Sequence, residues 1–299
     1  MMKSGSGGIS LAFRSHTGAL AVLLSVGLSS SPLLRAQQPP TVEILQLKQL
    51  PRPGPTWGGL HALRDSYELP SDTLISMMEL AFSIGPTQII GAPRWAKTAR
   101  YELVMKPQPD QVDSGLAGFR QGQRMLRAVL VDRFHLKFHR ETHQQEARVL
   151  KIGGQGTRLQ VSRPTTVEWR WKGIILEPGL LACRAAPMDQ LTFMISLSLR
   201  QTVVDRSGLH GLYDCEAHWQ SSATTLDPHE WVYERGAVSS DPRFEGDSAP
   251  SSPTLDAAFQ DQLGLSLSSI ETVPVTVLVV DAAEQPSEDV NTTPTVAAN

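Results

Sequence analysis

RAVLVDRFHLKFHRETHQQEARVLKI (127–152) aligns without a gap on DAAFQDQLGLSLSSIETVPVTVLVVD (256–281). Ala128 falls on Ala257, Leu130 on Phe259, Asp132 on Asp261, Phe134 on Leu263, Leu136 on Leu265 and Phe138 on Leu267, so the apolar pattern coincides through the first half of both segments. Each segment reads as the end of an amphipathic helix, then an alternating strand, a turn and a second strand, because the apolar spacing changes from helical to alternating.

The preceding sequence extends the correspondence. TLISMMELAFSIGPTQIIG (73–91) and MDQLTFMISLSLRQTVVD (188–205) each read as a helix followed by a short apolar strand, and RYELVMK (100–106) and LYDCEAHW (212–219) as strands built around a Tyr-acidic pair. Both halves thus run helix, strand, strand, helix, strand, strand, which predicts an internal duplication. A helix apolar on one face and a strand apolar on one side must cover each other, so the expected class is α+β, with the modules side by side or sharing a sheet. The expected organisation is a signal peptide over 1–36, a first α+β module over 41–152, a linker over 153–186, a second α+β module over 187–282 and a disordered tail over 283–299. TVEILQLK (41–48) alternates as an extra strand would, and the Ser-, Pro- and Asp-rich stretch 221–253 reads as a long loop inside the second module.

The signal peptide is read from Lys3 and Arg14, the apolar run GALAVLLSVGL (18–28) and the small residue Ala36 at the cut. That run is short for a bilayer span, and no transmembrane segment is expected after cleavage. The chain is therefore expected in the periplasm or outside the cell. In an oxidising compartment the two cysteines, Cys183 and Cys215, are candidates for a disulfide, the alternative being two unpaired thiols.

With 299 residues, 40% of them hydrophobic, the chain can bury a substantial core. A formal net charge of −3 gives no reason to expect a nucleic-acid partner. The charge is uneven: residues 91–160 carry 13 Lys/Arg against 6 Asp/Glu, whereas 161–299 carry 8 against 19. Such halves can attract each other or an outside protein or cell-envelope partner, against the simpler expectation of two solvated faces that only keep the chain soluble.

RFHLKFHRETH (133–143) raises the question of a metal. With Leu136 and Phe138 inward, His135, Lys137, His139 and Glu141 share the wetter face of an alternating strand. The lysine charge repels a cation, the corresponding positions of the second segment are Gly264, Ser266 and Ser268, and His143 is placed in the turn. A polar strand face is expected, with no metal site. No G-x-S-x-G, H-E-x-x-H, C-x-x-C or dinucleotide fingerprint occurs, and no cofactor is expected. Asp205 and Asp214 adjoin the turn VVDRSGLHGLYD (203–214), where aspartates ordinarily bend or cap the chain.

The strings QIIGAPRW (88–95), RYELVMK, MLRAVLVDRFHLKFHRET (125–142), VVDRSGLHGLYD, LDAAFQDQLGLSL (255–267) and VLVVDAAEQPSED (277–289) resemble an exported soil-bacterial family of unknown function. The likeness runs from about Thr41 to Asp289 and implies a secreted or periplasmic protein with no assigned activity. Its pattern fits Gly91, Pro93 and Trp95; Arg133, Phe134, His139 and Glu141; and Asp205, Gly208, Leu209, Gly211, Tyr213 and Asp214. The second module is also similar, at the level of fold, to secretin/TonB N-terminal-type domains, which bind partners through sheet and helix faces. The chain departs from the family at TVEILQLK, at Ala81-Phe82-Ser83 and at QEARVLKI (145–152). Together the residues and the resemblance nominate Trp95, Arg133, His139, Glu141 and Tyr213 as binding residues of a non-enzymatic module. A hydrolase centred on His139 and Glu141 is the alternative, and a small-ligand sensor with an apolar pocket between the modules is a third.

Overall fold

The computed structural model describes residues 41–51, 59–108, 111–113, 115–163, 173–177, 179–220, 253–287 and 295–297. The signal segment 1–36 and nearly all of the loop 221–253 lie outside the described residues. Among the described residues no helix is long and apolar enough to cross a membrane.

The first half opens with β1 (Thr41–Gln49), β2 (His61–Ala62) and β3 (Tyr67–Thr73), then α1 (Leu74–Phe82). Thr73 caps α1: its hydroxyl accepts from the Ser76 amide at 3.1 Å, and its own amide donates to the Ser76 hydroxyl at 3.0 Å. The helix stops at Ser83, which is left-handed at φ 51°. There follow β4 (Ile89–Ile90), a short 3₁₀ turn at Arg94–Lys97, β5 (Arg100–Gln108), α2 (Gly115–Arg133) and β6 (Lys137–Ile152). The second half continues with β7 (Gln160–Val161), β8 (Gly173–Glu177), β9 (Leu180–Pro187), α3 (Met188–Leu199), β10 (Val203–Asp205) and β11 (Leu212–His218). It ends with α4 (Leu255–Ala258), which widens into a π turn over Phe259–Leu263, then β12 (Leu265–Leu267), β13 (Glu271–Ala282) and β14 (Thr295–Ala297).

The mixed helix and strand content is α+β. Three sheets form, in the orders β14-β1-β5-β3-β2, β10-β6-β13-β4 and β7-β11-β9-β8, with β12 also on β6. The middle sheet is shared between the halves. β6 and β13 pair antiparallel from Lys137 to Ala147, the short β4 of the first half lies parallel to β13, and the short β10 of the second lies parallel to β6. The connections leading into β4 and β10 meet where the Thr87 and Thr202 hydroxyls come within 2.5 Å. One continuous apolar core includes Tyr67, Leu80 and Phe134 from the first half and Leu181, Phe193 and Phe259 from the second. Burial of each such side chain contributes roughly 1.5–3 kcal/mol before the cost of ordering.

Three expectations are corrected. The stretch read as a linker, 153–186, supplies β7, β8 and most of β9; the two-residue β7 is too short to carry a pattern, and the buried run that opens β9 lacks the alternation that marks a half-exposed strand. The tail read as disordered contains Thr295–Ala297, which pairs with Thr41–Glu43 of β1. The turn expected near His143 is absent: β6 runs unbroken through Lys137–Ile152, held by residue-by-residue pairing with β13.

Candidate functional site

Directly opposed residues of an antiparallel pair share a face, so the register of β6 on β13 sorts the side chains. His139, Glu141 and His143 stand opposite Val279, Val277 and Val275 on one face. Val275 and Val277 are buried, whereas the side chains of His139, Glu141 and His143 are 49%, 45% and 40% exposed. A hydrogen-bonded row results. His139 Nδ1 lies 2.9 Å from Asp281 Oδ1, His139 Nε2 lies 3.0 Å from Glu141 Oε1, and His143 Nε2 lies 2.5 Å from Glu141 Oε2. The carboxylates of Glu141 and Asp281, in that order of importance, raise the His139 pKa above its usual 6.5. His139 and then His143 hold Glu141 below the usual 4.5.

This geometry limits the chemistry. A general base needs a nitrogen free to take a proton from its nucleophile, and both nitrogens of His139 already face carboxylate oxygens. The donors are strung along the strand, since the two imidazoles approach different oxygens of Glu141, and among the described residues no three His, Cys, Asp or Glu side chains are grouped as metal ligands. The row is suited to holding an imidazolium between two acidic groups. His135, expected on the same face, precedes the strand with φ 47° and is not part of the row.

The opposite face of β6 carries Phe138 and Arg140. The Phe138 ring meets Phe82 edge to face at 4.8 Å, and the Arg127 guanidinium lies over Phe82 at 5.5 Å. Arg127 Nε donates to the Ala81 carbonyl at 2.6 Å, and Gln123 Nε2 donates to the Leu80 carbonyl and the Ser83 hydroxyl, each at 2.7 Å, so α2 closes the carbonyl end of α1. Burial, then the charges of Arg140 and Arg124, lower the Arg127 pKa. Arg127 therefore lies over one ring of this aromatic pair, Arg140 follows the other on the same face of β6, and neither forms an ion pair among the described residues.

The other nominated residues lie apart. Arg133 ends α2 and pairs with its neighbour Asp132 at 3.1 Å. Trp95, half-buried in the 3₁₀ turn, packs against the main core. Tyr213 is buried on β11 in the third sheet, its hydroxyl donating to the His210 carbonyl at 3.2 Å. Asp205 Oδ1 accepts from the Ser207 amide, a turn-building bond, whereas Asp214 Oδ1 accepts from the Ala185 amide across the β9–β11 pair. Cys183 and Cys215 are disulfide-bonded across the β9–β11 pair. A polar cleft of about 340 Å³ is lined by Arg158, Arg184, Asp214 and Glu216. Its arginines are engaged within the chain, Arg158 with the Asp261 carbonyl and Gln155, and Arg184 with the Cys183 carbonyl.

Sequence reasoning brought His139 and Glu141 together but missed Asp281 and the arginines around Phe82. Asp281 has no local signal, because its place beside His139 follows from strand register between residues 142 positions apart. The arginines did leave a trace: Arg120, Arg124 and Arg127 recur at helical spacing on α2 within the basic first half.

No curated protein and no solved structure matches the chain. The sequence model of one family, described as "Protein of unknown function (DUF3738)", matches residues 75–283 and so takes in both halves of the shared sheet. The chain belongs to that family.

Proposed function

We propose that this protein is an exported, non-enzymatic binding module that works in the periplasm or outside the cell by contacting a protein or envelope component. One observation carries the reading. The row nominated as a hydrolytic centre lies on an open strand face, with both His139 nitrogens occupied by carboxylates, where a catalytic site would be concave and would leave its base free. The sequence of 1–36 supports export, and a bonded cysteine pair is the ordinary state of such a pair in an oxidising compartment.

The same reading takes the two halves as products of a duplication. In the first sheet β5 lies between β1 and β3, and β3 between β5 and β2; in the third, β11 lies between β7 and β9, and β9 between β11 and β8. The gapless alignment sets 144 on 273 and 145 on 274, and Gln144 pairs with Pro274 while Gln145 pairs with Val273. Interchanging the two halves thus maps this pairing onto itself, as an approximate two-fold axis through the middle of β6 and β13 would.

The test is capture from envelope extract with the purified protein and with a His139→Ala/Glu141→Ala variant, beside a turnover assay on a panel of envelope esters, amides and glycosides. A specific partner retained by both proteins is the expected result. Turnover by the native protein that the variant loses would establish the hydrolase instead.

A further inference from the structure

Strand β6 has an unusual exposure. One edge pairs with β13 from Lys137 to Ala147, but on the other edge β10 reaches only Arg148–Leu150, so among the described residues the Lys137–Ala147 edge has no strand partner. Its side chains are also open to both sides: His139, Arg140, Glu141 and Thr142 are all exposed. Unpaired amide and carbonyl groups along such an edge are a template for another strand. β6 contains no proline to interrupt them.

Charge decides what the edge can accept. Lys137 and Arg140 lie on the strand, Arg127 of α2 reaches it through the Phe82–Phe138 ring contact, and Glu141 is occupied by its two histidines. Positive charge without a counter-charge repels a second copy of the same edge and attracts carboxylates. Guanidinium groups are also suited to two-pronged binding of a carboxylate.

We propose that the Lys137–Thr142 end of β6 is a docking edge for an extended acidic polypeptide, which adds as a strand and sets carboxylates against Arg140 and Arg127. The proposal rests on the binding-module reading and gives it a partner class. Backbone pairing supplies affinity, and side chains directly opposite one another, with Cβ atoms roughly 4.5–5.5 Å apart, supply selection. The two-residue period of a strand means that the partner carries acidic residues at alternate positions. A nucleic acid or a lipid headgroup would use the arginines and leave the backbone edge idle.

The experiment measures fluorescence anisotropy of a labelled ten-residue peptide of alternating Glu and Val with the purified protein. The comparisons are the Lys/Val peptide, the Glu/Val peptide N-methylated at alternate backbone nitrogens, and phosphatidylglycerol vesicles. Binding of the Glu/Val peptide is expected, weakened at least about tenfold by N-methylation and at least about tenfold by Arg140→Glu, an exposed substitution whose folding is checked by thermal melting. No binding, binding indifferent to N-methylation or to Arg140→Glu, or a preference for the vesicles would overturn the proposal. If Arg140→Glu still captures the envelope partner of the native protein, this edge is not the site, yet the binding-module reading stands. Turnover lost in His139→Ala/Glu141→Ala removes both.

Discussion

The imidazole Nδ1 of His139 stands 2.9 Å from a carboxylate oxygen of Asp281, across the bulge that interrupts the pairing of β6 with β13. Glu141 faces the other ring nitrogen, so the protonated ring ties the end of one strand to the end of the other. The sign of the pH dependence follows. Because the folded pKa of His139 is raised above 6.5, its contribution is fully present below 6.5 and is lost as pH rises through the folded value. Glu141 is shifted down from 4.5, so its contribution is present above 4.5 and is lost as pH falls through its lower folded value. Titration of the His139 ring by NMR is expected to give a midpoint above 6.5, with Glu141→Gln and Asp281→Asn each moving it down. A midpoint unmoved by both substitutions would mean that the row does not exist in solution.

Much of the fold was legible where local chemistry settles it. The stretch TLISMMELAF reads as α1 from its apolar spacing, and the alternating run RYELVMK gives β5. What escaped depends on distant partners. His143 sits amid polar residues that read as a turn, and only pairing with Val275 keeps it in the strand. Leu180, Leu181, Ala182 and Cys183 are all buried, so β9 shows no alternation from which to read a face. At the site, His139 and Glu141 were visible as neighbours at strand spacing. Asp281 and the free edge were not, since both are consequences of register.

A second prediction concerns the contact between the halves. Thr202 is 1% exposed, whereas Thr87 is exposed, and their hydroxyls lie 2.5 Å apart. Removing the exposed partner strands the buried hydroxyl, so Thr87→Val is expected to cost about 1–3 kcal/mol. Thr202→Val frees the Thr87 hydroxyl to water and should cost less, with the double variant close to neutral. Chemical denaturation of the four proteins in a double-mutant cycle measures this, and the reverse order of the single variants would refute it.

Gly264 closes the π turn with φ 66°, and a Cβ there would meet the Gly156 carbonyl and the Arg158 amide. Gly208 has nearly the same φ, 67°, with nothing within 4 Å of a Cβ. Gly208→Ala is expected to cost about 1–2 kcal/mol for the left-handed backbone alone. Gly264→Ala must also displace backbone and should cost at least about 2 kcal/mol more. Equal losses of stability in the two variants would show that the contact between the π turn and 156–158 is not made.

The disulfide should stabilise one region and leave the histidine row alone. Cys183 and Cys215 face each other on β9 and β11, 4.9 Å apart at Cα, and the bond encloses α3 and β10 in a loop of 32 residues' separation. Closing a loop of that length in the unfolded chain removes entropy worth about 3–4 kcal/mol. For a chain of this size the melting temperature should fall by roughly 10 °C in Cys183→Ala/Cys215→Ala. A reductant should reproduce the loss in the native protein and do nothing further to the double variant. The first sheet and the β6–β13 pair lie outside the enclosed loop, so the His139 titration should be unchanged in the folded double variant. A native protein that melts identically with and without reductant would show that the cysteines are not joined, or that the unfolded chain does not feel the closure. Titration of the variant separates these outcomes from a general loosening of the fold, because only the latter would carry the His139 midpoint back toward 6.5.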